Sequence, residues 1–321
     1  RDGVTAEEVK GILLGMASGQ ETLLGYFRRF IRNFEKRVGI NRTVGSLRAY
    51  SNAYSHIERF LQAQYKLSDI PFSALDRSFI DKYDLYLRTE RNLAPGTIIN
   101  LTVQLKTIVG EAIADGVITA SPFMGYEPVR PKHVQKYLTA EELHRIMTTP
   151  LHRQTLYHVR DMFLFSCFTG IPYGDMRLLT KDNLCLAEDG IWWIKSARQK
   201  TKIEFEIPLL DLPLQILKKY SGTAPGDKLL PMYCNSTLNL YLKEIARICH
   251  IDRPLVFHAG RHTYATEITL SHGVPLETVS RMLGHSQIET TQIYAKVTDE
   301  KIDTDTKALN RKISERFSVV I

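Results

Sequence analysis

The residues with the clearest chemical potential lie near the end of the chain, in the order His258, Arg261, His285 and Tyr294. Tyrosine is a weak nucleophile at neutral pH, because its phenol has a pKa of about 10. It becomes reactive where fixed cations stabilise both the phenolate and the charge that builds on a phosphoryl group. A histidine, an arginine, a second histidine and a tyrosine in this order are therefore suited to attack a phosphodiester without a metal.

Local sequence signals predict how these side chains are held. Ser286 and Glu289 have the spacing of a capping box, in which the two side chains satisfy backbone N–H groups at the beginning of a helix. The helix that they predict carries Tyr294 about two turns in, on a rigid support. His258 and Arg261 are three residues apart, so they share one face if their segment is helical.

Two segments that contain these residues resemble the sequence boxes of the tyrosine recombinases, also called phage-type integrases. Residues 258–266 (HAGRHTYAT) match the family's H-x-x-R box and the T-[YF]-A-[ST] run that follows it. Residues 283–285 (LGH) and 293–295 (IYA) match the box that contains the nucleophilic tyrosine. Both boxes occur in the family's order and at its spacing, and the resemblance extends from about residue 20 to about residue 300.

The resemblance implies a reaction in which Tyr294 attacks a DNA phosphodiester, forms a 3′-phosphotyrosyl link and releases a 5′ hydroxyl. Arg261 and a second cation would hold the non-bridging oxygens, where negative charge accumulates. His258 and His285 would hydrogen-bond the phosphoryl group, and His258 is the better candidate to take the phenolic proton. No metal, nucleotide or other cofactor is expected, since the protein–DNA ester keeps the energy of the broken bond.

A β-hairpin is predicted upstream of these boxes. Residues 189–190 (DG) are a turn signal before the apolar run 191–194, and residues 203–207 alternate as a half-buried partner strand would. The basic segment between the strands contains Lys200 followed by Thr201. The family has its catalytic lysine in such a K-T pair on a hairpin. The resemblance therefore implies that Lys200 protonates the leaving 5′ oxygen as a general acid.

The first box of the family is matched only in part. The family pattern is T-G-[LI]-R-x-x-[ED], and residues 169–175 have the sequence TGIPYGD. Asp175 matches the acidic position, but Pro172 stands where the family has an arginine. Proline has neither a charge nor an N–H donor, so it cannot hold a phosphate. Another cation is expected to supply the missing guanidinium.

Two arginines are candidates for that role, Arg177 and Arg198. Arg198 lies two residues before Lys200, so on an extended strand both side chains would point towards the same phosphate. Arg177 follows Pro172 by more than one helical turn, on a face rotated from the one that the family's arginine occupies. Strand geometry therefore favours Arg198 as the substitute.

Composition agrees with a nucleic-acid partner. The chain has 321 residues, a formal net charge of +7 and a pI of about 9.1, which favour two domains and a polyanionic ligand. Its four cysteines are scattered, which favours reduced thiols over a disulfide framework or a zinc ribbon. No apolar run in the sequence is long enough to span a membrane. The expected location is the cytoplasm of a bacterium, in association with the nucleoid.

The predicted fold is mainly α with a small antiparallel β-sheet. An N-terminal extension (1–19) precedes a helical core DNA-binding domain of the SAM-like type (20–124), a basic linker (125–136) and a mixed α+β catalytic domain (137–321) that ends in a tail helix. The SAM-like type is implied by the resemblance, whereas the helices follow from apolar residues at three- and four-residue steps. Residues 139–142 (TAEE) predict the first helix of the catalytic domain through a capping box.

The helical domain and the linker contain the residues expected to contact DNA. Seven basic side chains between residues 28 and 48 meet only one acid, Glu35, and such a run supplies sequence-independent affinity for phosphates. Polar side chains on one face of a later helix could reach base edges in a groove. The candidate DNA-binding residues are Arg28, Arg29, Arg32, Arg42, Arg48, Asn100, Gln104, Arg130 and Lys132.

The segment after Tyr294 predicts a helix with one apolar stripe, formed by Ile302, Leu309, Ile313 and Phe317. In tyrosine recombinases such a tail docks on an adjacent subunit, and head-to-tail contacts of this kind can close into a ring. The resemblance therefore implies a homotetramer on paired sites in double-stranded DNA. It also leaves room for accessory DNA-bending or directionality proteins.

Three other interpretations compete with this one. His258 and His262 have the spacing of a zinc pair on a helix, but the metalloprotease pattern needs glutamate at position 259, which is alanine. No metal is therefore expected, and His262 is assigned to packing. A type IB topoisomerase-like enzyme would use the same chemistry without strand exchange. A DNA-binding accessory protein that has lost catalysis is the third interpretation, suggested by Pro172.

Overall fold

The computed structural model describes residues 20–130, 136–294 and 299–314, together with residues 6, 9 and 10. The chain divides into two compact units, residues 1–133 and residues 134–321. Within the described residues the structure is mostly α-helical and contains one three-stranded antiparallel sheet. The predicted fold class, mainly α with a small antiparallel sheet, is confirmed.

Residues 20–130 of the first unit contain four α-helices. They are α1 (Leu23–Glu35), α2 (Val44–Phe60), α3 (Arg77–Thr89) and α4 (Pro95–Ala114). The hydroxyl oxygen of Thr43 accepts from the N–H of Ser46 and so caps the beginning of α2. Pro95 suits the first turn of α4, where its missing N–H has no partner to lose. The helices expected from apolar spacing in this segment are confirmed.

Phe60 lies at the centre of the first unit's core. Its ring is fully buried and meets the rings of Phe79, Tyr83 and Tyr86 at centroid distances of 5.3, 5.1 and 5.3 Å. Aromatic pairs of this kind contribute about 0.5–1.5 kcal/mol each beyond the area that they bury. These contacts join α2 to α3, while the arginines of α1 and α2 remain on the outside.

The core of the second unit is built around α6 (Gln154–Thr169), which is buried along most of its length. Before it, α5 (Ala140–Thr148) begins with the predicted capping box, formed by Thr139 and Glu142. Further helices of this unit are α7 (Tyr173–Met176), α8 (Asp211–Lys219) and α9 (Asn235–Ile248).

The sheet consists of β1 (Leu184–Leu186), β2 (Trp192–Ala197) and β3 (Glu204–Pro208), with β2 in the centre. β2 and β3 pair antiparallel with Ile194 opposite Ile207, and both of these side chains are buried. The predicted hairpin is therefore confirmed. β1 was not expected, because three residues are too few to produce a recognisable alternation.

The described end of the second unit contains α10 (Ala259–Thr263), α11 (Leu276–Leu283), α12 (Glu289–Gln292) and α13 (Asp299–Ser314). The predicted capping box at Ser286 is wrong, because α12 begins only after Ile288 and no side chain caps it. A hydrogen bond between His285 and Thr291 spans the bend in front of α12 and holds it out of helical geometry. Tyr294 consequently lies in the turn after α12.

Gly170 ends α6 at a point where three parts of the second unit meet. Its φ is +69°, in the left-handed region that favours glycine. A Cβ at this position would lie 2.5 Å from Cδ1 of Tyr264 and 2.9 Å from Cδ2 of Leu283. The absence of a side chain therefore allows the end of α6 to approach both neighbours.

We expect Gly170→Ala to lower the free energy of unfolding by about 2–5 kcal/mol. A left-handed backbone costs an L-residue about 1–2 kcal/mol, and overpacking adds about 1–3 kcal/mol. Gly273→Ala is the matched control, since its φ is +83° but nothing lies within 4 Å of the added Cβ. Urea unfolding measures both losses, and equal losses would mean that Tyr264 moves aside at no cost.

Candidate active site

Arg198, Arg261, His285 and Tyr294 lie in one cluster of the second unit. Arg198 comes from the turn between β2 and β3, Arg261 from α10, His285 from the bend after α11, and Tyr294 from the turn after α12. The cluster forms where the C-terminal ends of α6 and α11 come together. The fold thus gathers side chains that are almost a hundred residues apart in the sequence.

Arg261 joins the C-terminal ends of two helices. Its guanidinium donates to the carbonyl of Gly170 at 2.9 Å and to that of Leu283 at 2.7 Å, and 3% of the residue is exposed. Carbonyls at helix ends lack intrahelical partners and carry the negative end of the helix dipole. The pKa of Arg261 falls to about 10, chiefly through burial and then through the charge of Arg198, while the phenol of Tyr294 opposes the fall. Arg261 remains a cation at neutral pH.

Arg198 lies beside Arg261. Its Nη1 donates at 3.3 Å to the carbonyl of Leu283, which is the oxygen that also accepts from Arg261. The side chain of Arg198 is 17% exposed, so most of it is covered by protein. Two guanidinium groups that share one carbonyl oxygen concentrate positive charge at a single point of the site.

Asp175 holds Arg198 in this place. The carboxylate forms an ion pair with Nε of Arg198 at 2.9 Å and accepts from the backbone N–H of Gln199 at 2.9 Å. A Cβ at Gly284 would lie 2.9 Å from Cγ of Arg198, so the glycine makes room for the arginine. Asp175, at the acidic position of the first box, is therefore paired with Arg198. Position 172, where the family has an arginine, is proline.

His285 connects Arg261 to the segment that contains Tyr294. Its Nε2 lies 2.9 Å from Nη2 of Arg261, and its Nδ1 lies 2.7 Å from the hydroxyl oxygen of Thr291. Burial, followed by the charges of Arg261 and Arg198, lowers the pKa of His285 to about 4. The ring is therefore neutral at pH 7 in this structure.

Tyr294 is packed into the cluster, with 6% of the residue exposed. Its ring lies parallel to that of His285, with centroids 6.1 Å apart, and meets the ring of His262 edge to face at 5.0 Å. Its carbonyl accepts from the hydroxyl of Thr266 at 3.4 Å, and its N–H donates to the carbonyl of Thr291 at 2.9 Å. The tyrosine is thus held by the same chain that supplies the two arginines.

His258 and His262 extend the cluster along the beginning of α10. Their rings are perpendicular, with centroids 5.0 Å apart. His258 has an exposed side, yet the surrounding protein and then Arg261 lower its pKa. The pKa of His262 falls to about 4 through burial and then through His258. His262 therefore packs as expected. Its ring lies between those of His258 and Tyr294, a position that the sequence pattern did not predict.

Lys200 and Arg177 lie outside this cluster. β2 ends at Ala197, so residues 198–202 form a turn, and the prediction that Arg198 and Lys200 share a strand face is wrong. Arg198 turns inward to its carboxylate partner, whereas Lys200 is exposed and makes no hydrogen bond or ion pair with the described part of the chain. Arg177 is exposed at the end of α7.

Two protein-family models match this chain, one in each of its two units. Residues 136–301 match the model described as the phage integrase family, and residues 22–128 match the model described as the phage integrase SAM-like domain. The first of these matches alone covers just over half of the chain. The chain belongs to the phage integrase family.

Individual members of the phage integrase family are similar over most of their length. Tyrosine recombinase XerD of Listeria monocytogenes is 25% identical over 273 residues, which are 80% of this chain and 89% of XerD. The Tn1549 transposon integrase superposes with a TM-score of 0.69 at 18% identity, over 90% of this chain and 99% of that one. A lambda integrase fragment superposes with a TM-score of 0.70 at 18% identity, over 87% of this chain and 100% of that one. The resemblance to tyrosine recombinases is confirmed.

Several of the arginines that were predicted to bind DNA also make contacts within the first unit. Arg28 donates to the hydroxyl of Tyr54 at 2.6 Å, and Arg29 pairs with Glu21 at 3.0 Å. The guanidinium of Arg42 lies over a phenylalanine ring of α1, 5.3 Å from its centroid. All of these arginines are exposed, so the contacts orient the side chains without removing them from the surface.

The remaining DNA-binding candidates differ in exposure. Arg32, Arg48, Asn100 and Arg130 are exposed, Gln104 is half-buried, and Lys132 lies outside the described residues. The four cysteines are free thiols. No group of three or more His, Cys, Asp or Glu side chains among the described residues is arranged to hold a metal ion. None of the helices that the structure describes has the length and apolar character needed to span a membrane.

Proposed function

We propose that this protein is a site-specific DNA recombinase that cuts and rejoins DNA through a 3′-phosphotyrosyl intermediate, for the integration or excision of a mobile element. One observation carries the proposal: Arg261, Arg198 and Tyr294 meet in a single cluster of one chain. Guanidinium groups bind phosphate oxygens through paired N–H donors. A phenol beside two such groups is placed to attack the phosphate that they hold.

In the proposed reaction the phenolic oxygen of Tyr294 attacks the phosphorus, and the bond from phosphorus to the 5′ oxygen of the next nucleotide breaks. His258 is the proposed acceptor of the phenolic proton, which must pass the ring of His262 that lies between them, and Lys200 gives a proton to the leaving 5′ oxygen. Arg261 and Arg198 hold the non-bridging oxygens as their charge increases. Attack by a 5′ hydroxyl of the partner strand then restores a phosphodiester and frees the tyrosine.

The exposure of Lys200 suits its proposed role. It lies at the tip of the turn between β2 and β3, two residues after Arg198, which is fixed beside the phosphate site. A lysine on such a tip can move to a leaving oxygen when DNA is bound, while its neighbour remains in place. The same turn thus supplies both a fixed cation and a proton donor.

We assign DNA binding to both units. The proposed core DNA-binding domain is residues 20–124, followed by the linker 125–136 and the catalytic domain 137–321. The exposed basic residues of the first unit and of the linker contact phosphates, which gives affinity and orientation rather than sequence reading. Solved relatives support this assignment: lambda integrase was solved bound to a COC' core site, and the Tn1549 integrase with transposon right end DNA. The proposed place of action is the bacterial nucleoid.

We also propose a homotetramer on paired DNA sites, to which accessory DNA-bending or directionality proteins can bind. Lambda integrase was solved as a tetramer bound to a Holliday junction. In this chain Leu309 and Ile313 lie one turn apart on α13 and are 56% and 44% exposed. Such an apolar pair suits burial against another subunit. Ile302 and Phe317, which complete the predicted stripe, lie outside the side chains that the structure describes.

Ending the chain after Thr298 is expected to leave binding to one DNA site unchanged and to block recombination between two sites. The truncation removes α13 and its exposed apolar pair but none of the proposed catalytic residues. Gel shift with a single site and recombination of a two-site plasmid measure the two activities. Lys307→Ala in the full chain, which breaks the exposed pair with Asp303, is the control and should recombine normally. Normal recombination by the truncated chain would assign the stripe to packing within one subunit.

A duplex with a nick beside the cleavage site distinguishes this proposal from its alternatives. A recombinase traps a covalent protein–DNA adduct on its own site and exchanges strands between two intact sites. A type IB topoisomerase-like enzyme would relax supercoiled plasmid that lacks the site, without exchange. An accessory protein that has lost catalysis would bind the duplex tightly and leave no adduct.

A further inference from the structure

Thr291 is fully buried between the proposed nucleophile and His285. Its relative exposure is 0%, and its hydroxyl oxygen lies 2.7 Å from Nδ1 of His285. Its carbonyl accepts from the N–H of Tyr294 at 2.9 Å. A single threonine, which neither sequence box requires, therefore contacts the histidine through its side chain and the tyrosine through its backbone.

The direction of the hydrogen bond between His285 and Thr291 follows from the other side of the ring. Nη2 of Arg261 lies 2.9 Å from Nε2 of His285, and a guanidinium has donors only. Nε2 must therefore accept, and the single proton of the neutral ring must be on Nδ1. Nδ1 then donates to the hydroxyl oxygen of Thr291, as histidine tautomers are generally set by the bond that the second nitrogen makes.

We propose that Thr291 is a positioning residue that, together with Arg261, holds the Nδ1–H tautomer of His285 and so presents the unprotonated Nε2 to Arg261 and to the scissile phosphate. This inference rests on the proposed function. When the phosphate enters, its negative charge favours the protonated ring. Because Nδ1 keeps its own proton in the hydrogen bond to the hydroxyl oxygen of Thr291, Nε2 is the nitrogen that takes up a second proton from solvent. Nε2–H then donates to a phosphoryl oxygen, and the N–H of Arg261 is released to do the same.

The hydroxyl and the packing of Thr291 can be separated by substitution. Thr291→Val keeps the branched shape in a fully buried position but removes the acceptor for Nδ1–H. Loss of that acceptor destabilises the protonated ring more than the neutral ring, which can change tautomer. The protonated form is then populated only at lower pH. Thr291→Ser restores the hydroxyl, and Thr290→Val, at the exposed neighbouring threonine, is the matched control.

The tautomer can be measured without DNA. In protein labelled with ¹⁵N-histidine, the two ring nitrogens of His285 are identified by their loss in His285→Gln. The wild-type protein and Thr291→Ser are expected to show a protonated Nδ1 and an unprotonated Nε2. Thr291→Val is expected to show mixed or reversed protonation. A protonated Nε2 in the neutral wild-type ring would overturn the inference, whatever the enzyme does with DNA.

The effect on cleavage is measured with a nicked duplex that carries the joined ends of the element. Thr291→Val is expected to form the covalent adduct about tenfold more slowly at neutral pH, the scale of one lost hydrogen bond, with its pH profile shifted to lower pH. Thr291→Ser and Thr290→Val should cleave like wild type, and all variants should bind the duplex equally. If Thr291→Val fails to fold, Thr291→Ser and the wild-type nitrogen spectrum still decide the inference.

The outcomes separate this inference from the proposed function. If the wild-type protein binds the duplex and forms no adduct, the proposed function fails, and the nitrogen spectrum still shows whether Thr291 sets the tautomer. If wild type cleaves and Thr291→Val cleaves at the same rate with the same pH profile, the hydroxyl serves packing alone and the inference is wrong.

Discussion

Tyr294→Phe is expected to abolish the covalent protein–DNA adduct and to leave noncovalent DNA binding near its normal value. The substitution removes one hydroxyl, which is the proposed nucleophile, and keeps the ring that packs against His262 and His285. Denaturing gels of a nicked duplex measure the adduct, and gel shift measures the affinity. The loss should be complete, because no remaining group at this position can form the ester.

Tyr264→Phe is the matched control for that experiment. Tyr264 is also buried, with 2% exposed, and its hydroxyl donates to the sulfur of Met282 at 3.8 Å. Its loss should leave adduct formation intact. If Tyr294→Phe still formed an adduct, Tyr294 would not be the nucleophile, and Tyr264 and Tyr233 would be the next candidates.

Arg198→Ala is expected to slow cleavage by at least about 10²-fold, or about 2.7 kcal/mol of transition-state stabilisation. The reason is geometric: Arg198 shares the Leu283 carbonyl with Arg261 and is held in place by Asp175. Losses of this size are typical when one preorganised donor to the developing charge is removed. Single-turnover adduct formation on the nicked duplex measures the effect, separately from affinity.

Arg177→Ala and Arg198→Lys are the comparisons that make this result specific. Arg177 is exposed at the end of α7, so its loss should have a far smaller effect. Arg198→Lys should fall between wild type and Arg198→Ala, since lysine keeps the charge but not the planar pair of donors. A severe defect in Arg177→Ala with a mild one in Arg198→Ala would reverse the assignment. Faster cleavage by Pro172→Arg, with neither alanine variant impaired, would mean that the site uses one arginine.

The candidate residues His258, Arg261, His285 and Tyr294 could be chosen from the sequence because short motifs specify residue type and spacing together. What brings them into one cluster could not be predicted. Arg261 and Arg198 are held by main-chain carbonyls at the ends of helices. Because every residue has a main-chain carbonyl, the sequence does not show which of them accept these bonds. Contacts of this kind depend on how distant segments pack.

The two errors of local prediction have the same physical origin. Ser286 and Glu289 have the spacing of a capping box, yet the bend that contains them is held by the contact between His285 and Thr291, and α12 begins later. Arg198 was expected on a strand, but β2 ends one residue earlier and the ion pair with Asp175 decides the direction of the side chain. In both places a tertiary contact prevails over a local preference.

Mass spectrometry of the peptide that remains linked to DNA identifies the nucleophile. After cleavage of the nicked duplex, trypsin should release residues 282–296 (MLGHSQIETTQIYAK), in which Tyr294 is the single tyrosine. This peptide is expected to carry the 3′-phosphoryl nucleotide remnant on Tyr294. A remnant on any other residue, or efficient recombination with no covalent intermediate, would contradict it.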